Sequence, residues 1–266
     1  KSISIKAVRP GDRPVIKGCL QLYKGASLGL YQVILEGEGS DGSQAIDIKD
    51  AGDYDYLQVE DCEIRNYTKG LMYLDTAAAI KDVTFNNNII HDILCTGGDF
   101  FDSRKGTIYS WNITNNTIYN SAVTRDFIRF DDAASTFPGD APKIVVDHNT
   151  LYNVGNGASA CRLLYVRFAG NSITFTNNLI SGFNNTRGLS NNPPTNIVAI
   201  SGNYYHNTLN LLFASQTADA AIIMFDEKGV DVKDNPFKDA EKGDFSIIND
   251  DINYKGAGAP RWIVAQ

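Results

Sequence analysis

VTFNNNIIHD, residues 83–92, decides the fold, because five other stretches of the chain repeat its pattern. They are LQVEDCEIRN (57–66), WNITNNTIYN (111–120), IVVDHNTLYN (144–153), ITFTNNLISG (173–182) and VAISGNYYHN (198–207). The shared pattern is apolar-x-apolar-x-x-Asn-x-apolar-x-Asn/Asp/Gly. Its third column reads Val59, Phe85, Ile113, Val146, Phe175, Ile200, and its later apolar column reads Ile64, Ile90, Ile118, Leu151, Ile180, Tyr205. Between them runs Cys62, Asn88, Asn116, Asn149, Asn178, Asn203, with successive spacings of 26, 28, 33, 29 and 25 residues. Repetition at this period marks a stack of similar units.

Alternating apolar residues predict a strand with one buried face. The five-residue step between the two apolar columns breaks the period of two, so a tight bend belongs there. Asn tolerates left-handed backbone better than other non-glycine residues, and its amide can bond along a stack of like turns. No repeat contains an amphipathic helix, and the leucine spacing of leucine-rich repeats is absent. The reading is all-β: a single-stranded right-handed parallel β-helix with Asn-ladder turns. Strand-like pieces at 3–8, 14–18, 20–25, 31–37 and 45–50 read as its first coils. Residues 1–208 are assigned to the β-helix and 209–266 to a C-terminal cap on the last coils, within the same domain.

The 266 residues suffice for one large domain, and 43% hydrophobic composition is ordinary for a globular core. No apolar run reaches the roughly 18 residues of a membrane span. The start at Lys1, inside a strand-like stretch, reads as a piece of a longer precursor. A formal charge of -7 and a pI near 5.0 argue against a nucleic-acid partner. Four cysteines (Cys19, Cys62, Cys95, Cys161) and three histidines show no metal-ligand spacing, so buried thiols are expected and zinc is not. His91, His148 and His206 fall at or beside the turns and read as turn residues. The sequons at Asn66, Asn112, Asn115 and Asn184 follow from the Asn-rich ladder. Asn249-Asp250-Asp251 reads as a solvated turn.

The NNxI turns, the opening IKAVRPGDRPVIKG (5–18) and the tail DNPFKDAEKGDF (234–245) with GAGAPRW (256–262) resemble the pectate-lyase-like β-helix superfamily. Within it the chain is most similar to chondroitinase B-like and alginate-lyase-like proteins and their relatives in Bacteroidetes. The resemblance covers nearly the whole chain and implies an extracytoplasmic location and a uronic-acid polysaccharide ligand. In such lyases a Lys and an Arg act on the sugar while carboxylates hold calcium. The nearest analogue here, CRLLYVRFAGNSITFTNN (161–178), has arginines but no Lys and no Glu.

Chemistry is expected on the strand after each Asn turn: GLMYLD (70–75), DFFDSRKG (99–106), RDFIRFDD (125–132) and CRLLYVRF (161–168). If Met72, Leu74, Phe101, Ile128, Phe130, Leu164, Val166 and Phe168 point inward, alternation sends Tyr73, Asp75, Phe100, Asp102, Arg104, Phe127, Arg129, Asp131, Tyr165 and Arg167 outward. Aromatic faces stack on sugars and arginine forks pair with carboxylates. Tyr73, Arg104, Phe127 and Tyr165 are therefore the expected substrate-binding residues. For β-elimination, Arg129 or Arg167 would neutralise the uronate and Lys105 or an arginine would act as base. Asp102, Asp131 and Asp132 could supply oxygens to Ca2+. Two other readings stand beside the lyase. One is a non-catalytic polysaccharide-binding or scaffold module. The other is a polygalacturonase-like hydrolase using the Asp131-Asp132 pair, although the Gly-His-Gly turn of those enzymes is absent. The sequence sets no oligomeric state.

Overall fold

In the computed structural model of the chain, the described residues are 1–9, 11–23, 25–155, 161–183, 186–191, 197–208, 223–224, 226 and 228–264. Strands stack in three long sheets that wind as a right-handed parallel β-solenoid of about seven turns. The coil containing the opening motif runs from Ala78–Asn86 in the first sheet to Ile89–His91 in the second and Phe101–Ser103 in the third.

The registers reproduce the sequence columns. Phe85 pairs with Val59 and Ile113, and Ile90 pairs with Ile64 and Ile118. The same columns continue through Val146, Phe175 and Ile200, and through Leu151, Ile180 and Tyr205. These side chains fill the interior, and most have no solvent exposure. A further copy, LGLYQVILEG (28–37), stacks in register with Leu57, Val59 and Ile64. Val33 replaces the ladder Asn there, which hides the copy from an Asn-based alignment. Cys62, Cys95 and Cys161 are buried thiols, and Cys19 is half-buried.

The turn divides between neighbours the two roles expected of one Asn. The left-handed residue is the one before the ladder position: Asp61, Asn87, Asn115, His148, Asn177 and Gly202 have φ of 51°, 55°, 59°, 52°, 54° and 69°. The ladder Asn itself turns inward. Its Oδ1 accepts both the main-chain N–H and the Nδ2 of the Asn one coil earlier, as at Asn88 to Asn116, where both distances are 2.9 Å. Its Nδ2 also donates to a first-sheet carbonyl, as from Asn116 to Phe85 at 2.8 Å. Asn149 and Asn178 repeat this arrangement. The last motif column is a second left-handed position: Asn66, Asp92, Asn120, Asn153, Gly182 and Asn207 all have positive φ.

Val230–Val232 adds a ninth strand to the second sheet beside Tyr204–His206. The tail that follows runs back along the outside of that sheet. Phe237, Phe245, Ile247 and Ile252 bury themselves against Leu179 and Tyr204, and Tyr119 and Tyr152 pack on the same cluster. Gly258, Ala259, Trp262 and Arg261 then reach Asn177, Thr150, Thr117 and Asn87 in turn, so the tail straps successively earlier coils. Asn249-Asp250-Asp251 begins a helix, Asp250–Lys255, with Asn249 capping the Ile252 N–H. This corrects the solvated-turn expectation, and Asp251 also accepts the Tyr204 hydroxyl at 2.7 Å.

Candidate functional site

The third sheet carries the candidate site on its outer face. Its registers align Asp47, Tyr73, Asp102, Arg129, Tyr165 and Ser190 in one row across six coils. The inward rows, Ile46–Met72–Phe101–Ile128–Leu164 and Ile48–Leu74–Ser103–Phe130–Val166, are buried. The expected alternation therefore holds within the strands.

It fails where each strand begins. Phe127 is fully buried, with its ring centroid 4.9 Å from Phe100, and so cannot present a face to a ligand. At the corner entering the third sheet the chain buries two consecutive residues: Ala45/Ile46, Leu71/Met72, Phe100/Phe101, Phe127/Ile128 and Leu163/Leu164. Phe100 and Phe127 thus belong to the core, because alternation does not extend through a bend.

Arginines and aspartates interlock along the rest of the face. Asp102 lies in the outward row yet is fully buried, because Arg104 closes over it with contacts of 2.8, 3.0 and 2.9 Å. Arg129 clasps Asp131 through Nε at 3.0 Å and Nη2 at 2.8 Å, and Arg167 reaches the same carboxylate at 3.3 Å. The hydrogen bond from Arg129 to Asp131 is the main reason its guanidinium holds its proton even more firmly than usual. Arg162 lies 3.9 Å from the centre of the Tyr165 ring and pairs with Asp126 at 3.3 Å. Tyr165 thereby supports arginines on its ring. Tyr73 donates to Asp75 at 2.9 Å, and burial together with that carboxylate pushes its phenol up to about 12. Asp75 also holds Lys105 at 3.0 Å.

Two groupings result: Tyr73–Asp75–Lys105, and Arg104–Asp102–Arg129–Asp131–Arg167. Asp99 and Asp126, which sequence reasoning passed over, join the second. Asp99 is 2% exposed and lies 3.2 Å from Arg104 and 3.5 Å from Arg129. Burial, then the Asp102 and Asp126 carboxylates, push its carboxyl up to about 6 against the pull of Arg129. Burial likewise raises Asp126. The signal was present, because Asp-Phe-Phe (99–101) and Asp-Phe-Ile (126–128) place an aspartate before the buried pair in two successive coils.

Asp102, Asp131 and Asp132 do not fit a calcium cage. Arginines hold the first two, and Asp132 accepts the Ala134 N–H of its own turn at 3.0 Å. No group of three His, Cys, Asp or Glu side chains suited to a metal occurs among the described residues. The same engagements leave Asp131 and Asp132 poorly placed to flank a glycosidic bond as a pair. No helix among the described residues is long and apolar enough to cross a membrane. The sequon at Asn184 lies outside the described residues.

Fold and face together define the class: a right-handed parallel β-solenoid with an arginine–aspartate–tyrosine strand face. Residues 1–121 match the family model described as a domain of unknown function (DUF4957), and residues 144–262 match a second, described likewise (DUF5123). The segment between them, 122–143, carries Asp126, Arg129, Asp131 and Asp132. No curated protein matches the chain.

Proposed function

We propose that the outer face of the third sheet binds an acidic polysaccharide outside the cytoplasm, with the glycan lying along the solenoid axis. The observation that carries this reading is the row Tyr73–Asp102–Arg129–Tyr165 flanked by Arg104, Asp131 and Arg167. Coils repeat at about 4.8 Å, so four of them offer a straight track of about 15 Å. Arg104, Arg129 and Arg167 keep 30%, 21% and 39% of their side chains exposed. Each guanidinium has five donors in a planar fork, so one edge can hold an aspartate while another meets a uronate. The likeness to pectate-lyase-like β-helix proteins points to the same ligand class.

Recognition is placed ahead of turnover. Elimination needs a base that reaches the proton beside the uronate, and the arginines of this face each sit on a carboxylate. The observation favouring turnover is Lys105, 64% exposed beyond the strand end with its ammonium on Asp75. Affinity electrophoresis against pectate, alginate, chondroitin and heparin, with absorbance followed near 235 nm with and without calcium, separates the readings. Retardation on one glycan with a flat trace supports binding alone. A rising trace abolished by Lys105→Ala makes the protein a lyase. Free migration through every gel rejects the proposal.

A further inference from the structure

The proposed binding face balances its charges. Four carboxylates (Asp99, Asp102, Asp126, Asp131) interlock with four guanidinium groups (Arg104, Arg129, Arg162, Arg167). Asp102 is clasped by Arg104 and Asp131 by Arg129. Asp126 takes the Arg162 main-chain N–H at 2.7 Å and its guanidinium at 3.3 Å. Asp99 differs from these three. Its Oδ2 lies 3.2 Å from Arg104 and 3.5 Å from Arg129, both already committed elsewhere, and its Oδ1 accepts the Asp126 main-chain N–H at 3.0 Å. It is also nearly without solvent, with Asp102 and Asp126 as like-charged neighbours.

We propose that Asp99 is the charge gate of this face: ionised, it cancels the positive charge that would draw a polyanion, and neutral, it leaves the arginines in excess. The inference rests on the acidic-polysaccharide reading above and adds a control to it. With Asp99 neutral the four guanidinium groups face three carboxylates, and the surplus falls on Arg104 and Arg129, whose outer edges meet solvent. A uronate carboxylate stays ionised throughout, so the gate acts from the protein side. The charged groups packed around Asp99 are Asp102 and Arg104 on its own coil and Asp126 and Arg129 on the next. The thiols of Cys95 and Cys161 are held neutral by burial and by these aspartates. The raised ionisation of Asp99, near pH 6, puts the change within a mildly acidic range.

The test is calorimetric titration of an oligogalacturonate at fixed low ionic strength, at pH 7.5 and pH 5.0. The proteins are wild type, Asp99→Asn, and Asp12→Asn as a control of equal charge change on the exposed first coil. Asp99→Asn is expected to bind about tenfold more tightly than wild type at pH 7.5 and to lose most of the pH dependence. Wild type should gain that factor on acidification, and Asp12→Asn should follow wild type. Binding by all three with Asp99→Asn indistinguishable from Asp12→Asn overturns the gate and leaves the binding face standing. Absence of binding at both pH values, for oligogalacturonate and equally for the glycan that retards the protein in the gels above, removes the face and the gate together. Wild type alone gives a check that no folding defect can confuse. At pH 6.5, titrations in two buffers of different ionisation enthalpy should reveal net proton uptake on binding, and zero uptake contradicts the gate.

Discussion

Asn203 Nδ2 donates to Asp226 Oδ2 at 2.8 Å, where the amide ladder runs out of asparagines. Every amide in the ladder points its Nδ2 toward the following coil, so the last one presents a donor, and a carboxylate is the complementary partner. The Tyr205 hydroxyl donates to the same oxygen at 3.0 Å. Asp226→Ala would leave two buried donors short of an acceptor and should cost about 2–4 kcal/mol in urea unfolding. Asp226→Asn keeps an acceptor and should cost less. Equal stability of the two variants would contradict this account of the ladder's end.

Neighbouring asparagines in one turn should respond very differently. Asn116→Ala removes the acceptor of two bonds from Asn88 and the donor to Phe85, all in the dry interior. A loss of about 3 kcal/mol or more is expected. Asn115, at φ 59°, bonds Asn86 on the half-buried outer side. Asn115→Gly suits that backbone and should change stability by less than about 1 kcal/mol. Chemical denaturation of the pair checks the contrast, and equal losses would refute the division of roles.

The tail strap should act on coils far from it in sequence. Trp262 donates to Thr117 and packs 5.8 Å from the Phe245 ring, while Arg261 bonds Asn87. Trp262→Ala should cost about 2 kcal/mol and speed hydrogen exchange in the Phe237–Ile247 hairpin. Unchanged exchange there would mean that the strap holds without its anchor.

Stability should also depend on Asp99. Its folded value near 6 lies above the ordinary 3.8, so the native state binds the proton more tightly than the unfolded chain. This contribution is complete below about pH 4 and is lost as pH rises through about 6. The full shift corresponds to about 3 kcal/mol. Relative to Asp99→Asn, wild type should lose stability between pH 4 and 7, and parallel melting curves across that range would contradict the linkage.

Much of this architecture was legible because a solenoid repeats its physics. Each coil restates the same inward columns, so Val59 through Ile200 could be aligned before any register was known. Legibility ended where the repeat bends. Phe127 looked outward by counting twos, but the third-sheet corner buries two residues in succession. Val33 concealed a whole coil because a hydrocarbon can occupy a ladder slot where no amide partner follows. The strap was hidden for another reason: its contacts, such as Arg261 with Asn87, join residues 174 apart with no periodic signal. Within the site, outward Tyr73, Arg129 and Arg167 were readable from alternation. The buried Asp99 was not, since an aspartate at a corner ordinarily reads as a solvated turn.

The central claim, that the third-sheet face holds an acidic glycan, is tested most directly by two charge reversals of equal size on different faces. Arg167→Glu alters the proposed track, whereas Lys143→Glu alters an exposed residue of the first sheet. Oligogalacturonate affinity at low salt should fall at least tenfold for Arg167→Glu and less than about twofold for Lys143→Glu. Equal losses in both variants, or none in either, would place the ligand elsewhere and contradict the account.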